Sequence, residues 1–190
     1  MCIGQLWFAP CNTAGGHKAK NRKEVFDMAL KTLEDALVEE LQDILSAEQQ
    51  ITEALPLMAQ KATNPELKAG FQLHLEQTKQ QISRLEQALS SLGHKPESVT
   101  CEAMKGIIKE GQHIMSEEAD PDVMDAMLIA AAQKVEHYEI ASYGTVCTWA
   151  AQIGQNEVKE LLGQTLAEEE QTDKKLSQLA ESSINADATS

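Results

Sequence analysis

From Thr32 onward, apolar residues fall at Leu37, Leu41, Ile44, Ile51, Leu55 and Met58, in steps of four, three, seven, four and three. This spacing keeps them on one face of a helix and predicts a long first helix with a heptad-like seam. Thr32 stands three residues before Asp35 in the manner of a capping box, which marks the helix start. The seven-residue step skips one seam position, and the residue there is Glu48. Pro56, which lacks a backbone donor, is expected to kink the last turns.

Asn64-Pro65-Glu66 combines an N-cap, a proline at the first helical position and an early acid, and opens a second helix. Its stripe is Phe71, Leu75, Thr78, Ile82, Leu85, Leu89 and Leu92, with Gly93 placed to end it. Residues 94–120 form a long connection with a shorter amphipathic piece at Met104, Ile107, Ile108 and Met115. Asp120-Pro121-Asp122 starts a third long helix that ends near Ile153-Gly154. Asn156-Glu157 caps a fourth, which carries Val158, Leu162, Leu166, Leu176 and Ala180 on one side.

Short joints at 62–64 and 154–156 force helices one and two, and three and four, into antiparallel hairpins. The connection between the hairpins is long enough to recross the whole bundle, which gives the ferritin-like arrangement; a connection that doubled back would give a simple up-and-down bundle. The expected architecture is an all-α, ferritin-like four-helix bundle over residues 28–184. Residues 1–27 have no sustained period and are expected to be a disordered extension, with Met28 an alternative start. Residues 185–190 are small and polar and are expected to fray.

Composition supports helices, because aromatic residues make up only 4% of the 190 residues while 42% are hydrophobic. A net charge of -14 repels phosphate backbones and anionic lipid, so nucleic acid and membranes are not the expected partners, whereas divalent cations are. Cys2, Cys11, Cys101 and Cys147 show no CxxC spacing and suit free thiols in a reducing cytoplasm.

The seams carry the candidate chemistry. In helix three, positions 129, 132, 136, 139, 143, 146, 150 and 153 alternate steps of three and four, and Glu136 and Glu139 occupy two of them. In helix four, Glu169 and Asp173 interrupt the run from Leu162 to Ala180 in the same way. Glu48 on helix one and Glu76 at the flank of the second stripe complete the set. Glu48 lies 13 residues before Lys61 and Glu76 lies 11 after Pro65, so the first hairpin brings them to one level within about 3 Å. The second hairpin does the same for Glu139 and Glu169.

Buried carboxylates cost several kcal/mol each when unpaired, and a pair of divalent cations relieves that cost. Oxygen ligands of this kind suit iron or manganese. The opposing reading is that the acids form a wetted flank half a turn from the core. His74 lies two residues from Glu76 and His137 one from Glu136, and both suit surface or packing positions better than ligand positions.

The strings AAAQKVEHYEIASYGT (Ala130 to Thr145), DILSAEQQ (Asp43 to Gln50), HLEQTKQQISRLEQ (His74 to Gln87) and LAEEEQTDKKL (Leu166 to Leu176) resemble the bacterial YciE/YciF family of ferritin-like proteins. The resemblance spans about Met28 to Ile184. It implies a ferritin-like bundle, a dimer, a cytoplasmic location and a link to stress responses, but no known reaction. Helices three and four also resemble the more distant rubrerythrins, whose glutamate ligands correspond to Glu48, Glu76, Glu136, Glu139 and Glu169. Their histidine positions are filled here by Thr172 and Lys79. Two readings follow. In one, Glu48, Glu76, Glu136, Glu139, Glu169 and Asp173 hold one or two iron or manganese ions. In the other, a metal-free dimeric stress or scaffold protein pairs Lys79 with Glu76 or Glu136 inside the bundle.

Overall fold

The computed structural model describes residues 30–189. The expected extension over 1–27, with Met28, Cys2 and Cys11, lies outside the described residues. The helices are α1 (Leu33–Lys61), α2 (Pro65–Ser91), α3 (Glu102–Ser116), α4 (Pro121–Gln152) and α5 (Asn156–Leu179). A π-helical turn (Ala180–Ile184) and a short α6 (Asn185–Asp187) follow.

Local chemistry sets most of these boundaries. Thr32 accepts from the Asp35 amide at 3.1 Å while the Asp35 carboxylate accepts from the Thr32 amide at 2.9 Å, a reciprocal box. Asn64 accepts from the amides of Glu66 and Leu67 at the start of α2, and Asp120 from that of Asp122 at the start of α4. Gly93 and Gly154 follow α2 and α4 at φ of +80° and +81°, the left-handed conformation that glycine adopts without a Cβ clash. One expectation is corrected: the N-cap of α5 is Gln155, without a side-chain cap, rather than Asn156. α1 runs through Pro56 to Lys61 as one helical element. Ile184 is buried in the core, and beyond it Ala188 and Thr189 donate to the carbonyls of Ile184 and Ala186.

One contact decides the topology. Asp125, near the start of α4, accepts from the amides of Thr63 and Asn64 at 2.9 and 2.7 Å and from the Thr63 hydroxyl at 2.6 Å. α4 therefore begins where α1 ends and runs antiparallel to it, and the connection from the far end of α2 must climb the full bundle. Along the way Val99 donates to the Gln42 carbonyl, the Cys101 amide donates to Ser46, and Gln50 donates to the Cys101 carbonyl. The bundle is ferritin-like in connectivity, and α3 packs outside it on α1 and α4.

The apolar core is split in two. One cluster joins the end of α1, the start of α2 and α4 and the end of α5, with Leu55, Phe71, Leu128 and Leu176 among its members. The other joins the opposite ends, through Leu41, Leu85, Val146 and Leu162. Between them lies a layer of buried polar side chains.

Candidate metal centre

Each long helix contributes to that layer. α4 supplies Glu136 and Glu139, three residues apart on the inward face, 2% and 0% exposed. Glu48 of α1 and Glu169 of α5 are both 0% exposed. α2 supplies His74, and single ligand atoms of His74, Glu136, Glu139 and Glu169 all lie within 4.8 Å of one another. The His74 Nε2 is 3.5 Å from Glu136 Oε1 and 3.8 Å from Glu169 Oε2.

Of the residues expected from the sequence, Glu48, Glu136, Glu139 and Glu169 are gathered in the layer. Glu76 is not: it points outward and pairs with Lys79 at 2.6 Å, both on the surface. Asp173 is partly buried beside the layer, where Gln133 donates to it at 3.1 Å and His137 stands 3.3 Å away. His74, read from sequence as a surface or packing residue, is a member. The inward face of α2 runs Phe71, His74, Thr78, Gln81, Leu85, in steps of three and four, whereas Leu75 and Ile82 are only partly buried. Strict stepping from Phe71 identifies His74; following apolar residues leads away from it.

The polar surroundings orient some of these groups and leave others bare. The Tyr143 hydroxyl donates to Glu48 Oε1, and the Gln81 amide donates to Glu169. Arg84 forks onto Glu168 at 2.7 and 2.8 Å and so is committed outside the layer. The buried side-chain atoms without a hydrogen-bond partner, among the described residues, are Glu48 Oε2, both His74 nitrogens, Gln81 Oε1, Glu136 Oε2, both Glu139 oxygens and Glu169 Oε2. All belong to this layer. Native interiors rarely leave such groups unmatched, because each costs about 1–3 kcal/mol and more when charged.

The electrostatics follow from burial. Desolvation, reinforced by the charge of Glu169, pushes Glu48 up to about 8, against the Tyr143 hydrogen bond that lowers it. Desolvation and neighbouring acids raise Glu136 and Glu139 well above the ordinary carboxylate range. Glu169 rises to about 7 from burial, held back by Glu136 and Gln81. Burial lowers His74 to about 4, so its imidazole is neutral near pH 7 and its contacts with Glu136 and Glu169 are not ion pairs. A neutral imidazole and four carboxylates with bare oxygens form a donor set suited to hard or borderline divalent cations.

A four-helix bundle with a crossover, carrying buried carboxylates and an imidazole at mid-height, defines a ferritin-like protein with a candidate metal centre. The chain belongs to the family described as "Domain of unknown function (DUF892)", whose model matches residues 32–189. It is 45% identical to Protein YciF of Escherichia coli (strain K12) over 162 residues, 85% of this chain and 98% of that protein. The crystal structure of the E. coli stress protein YciF superposes with a TM-score of 0.79, covering 82% of this chain and 99% of the other. YcfI of Rhodopseudomonas palustris matches at 47% identity and a TM-score of 0.77, over 80% of this chain and 97% of that one. A ferritin-like, diiron-carboxylate protein from Bacillus anthracis str. Ames shares the fold, at 18% identity and a TM-score of 0.61, over 79% and 99% of the two chains. The resemblance read from the helix strings is therefore correct. Among the described residues no helix is long and apolar enough to cross a membrane.

Proposed function

We propose that this protein is a stress-response protein of the YciF type that binds one or two iron or manganese ions through Glu48, His74, Glu136, Glu139 and Glu169. The observation that carries the reading is the coincidence of burial and bare ligand atoms in one layer. Four carboxylates balance two divalent ions in charge, and di-metal carboxylate bundles place their ligands on the same facing helices. Bound iron or manganese supplies redox chemistry toward oxygen or peroxide at an open coordination position. The chain's own part is to hold neutral His74 and four acids in place, with Tyr143 and Gln81 orienting Glu48 and Glu169.

The metal-free scaffold reading needs Lys79 inside the bundle. Lys79 instead pairs with Glu76 on the surface, so that support is lacking. Homodimer formation and a cytoplasmic location belong to the same proposal; light scattering after size exclusion tests the first.

Thermal melting of metal-free protein under anaerobic titration with Fe(II) or Mn(II) tests the metal reading. Binding to the folded chain raises its stability with ligand concentration, by about 2.7 kcal/mol at one hundred times Kd. A melting temperature unmoved by either ion contradicts the reading.

A further inference from the structure

Beneath α3, where it packs on α1 and α4, lies a void of about 30 Å3 that extends inward to His74 and Glu136. Its walls are apolar, with Ile51 and Leu55 on α1, Ile107 and Ile108 on α3, and Ala132 and Val135 on α4. The polar residues that line it are Gln112, exposed at the outer mouth, and His74 and Glu136 at the inner end, 3% and 2% exposed. Protein interiors rarely leave space of this size unfilled. Gly111, within α3, has no positive φ, and a Cβ built on it stands 3.8 Å from the Ala131 Cβ, an ordinary contact. Neither conformation nor packing therefore requires glycine there, and in a helix interior glycine is unfavourable relative to alanine. The missing side chain leaves space in the void.

Size and lining select the occupant. A water molecule needs roughly 10–15 Å3 of such space and two to four polar partners, so the volume admits one or two very small molecules and nothing larger. Between Gln112 at the mouth and the inner end, the walls offer no hydrogen-bonding side chain. A solute that carries hydroxyls, hydrogen peroxide among them, leaves its hydrogen bonds with water unreplaced there, and an ion loses far more. An apolar diatomic molecule loses nothing, and apolar cavities stay dry and take up xenon. At the inner end the unpartnered atoms are both His74 nitrogens and Glu136 Oε2, which the metal reading assigns to an ion. A molecule held against the apolar walls therefore stands beside the layer without displacing a ligand.

We propose that the void beneath α3 is a holding site for an apolar diatomic molecule, dioxygen, at the edge of the acid layer. Occupancy depends only on the walls this chain supplies, while the use of the held dioxygen rests on the metal reading above. The wider groove between α2 and α5 also ends on His74 and Glu136 and is lined in part by Glu66, Gln77, Thr172 and Lys175. Hydrogen-bonding solutes thus have a separate approach, and the test reads occupancy of the void rather than turnover.

Metal-free full-length protein is placed under xenon and then under dioxygen, and followed by methyl-resolved NMR of its isoleucines, leucines and valines. Xenon should shift the methyls of Ile51, Ile107, Ile108 and Val135 saturably. Paramagnetic dioxygen should broaden them more than those of Leu57 and Leu73, which are 47% and 54% exposed. A gadolinium chelate, too large and polar to enter, should give the opposite order. Gly111→Leu fills the void from α3 and Ala54→Leu from α1, and each should abolish the xenon shifts, while Gly111→Ala should retain them. The wild-type measurement decides by itself where a filling variant does not fold. Xenon shifts that do not saturate, dioxygen broadening that follows surface exposure as the chelate does, or xenon binding that both folded filling variants leave intact overturns the proposal. Metal uptake measured on the same protein reads the metal proposal separately. Gas binding in protein that takes up neither Fe(II) nor Mn(II) overturns the metal reading and leaves the holding site, whereas metal uptake without gas binding overturns the holding site alone.

Discussion

Tyr143 reaches from α4 to α1 and donates its hydroxyl to one oxygen of Glu48, while the other Glu48 oxygen has no partner. Both side chains are fully buried. A residue on the heptad seam of α4 thus fixes an acid that occupies the skipped seam position of α1, and only one oxygen is left for a ligand.

Tyr143→Phe removes that donor without changing the packed volume much. Leaving a buried acid oxygen unmatched should destabilise the metal-free protein by about 1–3 kcal/mol, seen in denaturant melting. Because the tyrosine orients a proposed ligand, Mn(II) affinity should fall roughly 10- to 100-fold in a titration.

Stability of the metal-free protein should depend on pH with a definite sign. The folded values of Glu48, about 8, and Glu169, about 7, lie above the ordinary 4.5, so the folded chain holds more protons and loses stability as pH rises through that window. His74, lowered from 6.5 to about 4, acts in the opposite sense between those two values. Above pH 6.5 only the acids act, and the melting temperature should fall from pH 6.5 to 8. Metal-loaded protein should show the reverse, since binding releases protons. Calorimetry at the two ends of the window, with and without Mn(II), checks both signs.

His74→Leu should abolish or strongly reduce metal uptake and leave the metal-free fold intact, because it removes two unpartnered buried nitrogens. Glu76→Ala and Lys79→Ala remove an exposed pair and should change stability by less than about 1 kcal/mol, with metal content unaltered. Elemental analysis of the three variants distinguishes the layer found in the fold from the ligand set expected from sequence.

Asp125→Ala breaks three hydrogen bonds that join the α1–α2 turn to α4. A loss of about 3 kcal/mol is expected in urea melting, since the partners include two backbone amides left without their acceptor. Metal content should be retained, as Asp125 lies at the end of the bundle.

Much of this was legible in the chain. Thr32 with Asp35, Asn64 before Pro65 and Asp120 before Pro121 announce three helix starts through side chains that satisfy free amides. Glu48, Glu136, Glu139 and Glu169 stood out as acids in otherwise apolar seams. His74 was obscured because Leu75 and Ile82 drew the stripe of α2 half a step aside, and polar seam positions cannot be found by apolarity. Glu76 entered the set from the flank of the α2 stripe and from its height along the helix, which fixes level but not direction around the axis. The direction of the crossover depended on Asp125 meeting Thr63, a contact between distant segments that no local pattern reveals.

The most direct test is elemental analysis by mass spectrometry of untagged protein grown with iron and manganese, compared with the Glu136→Ala, Glu169→Ala double variant. One or two ions per chain in the wild type, lost in the double variant, is the expected result. No metal in the wild type, even after anaerobic Fe(II) reconstitution, or an unchanged content in the double variant, contradicts a metal centre built on this layer.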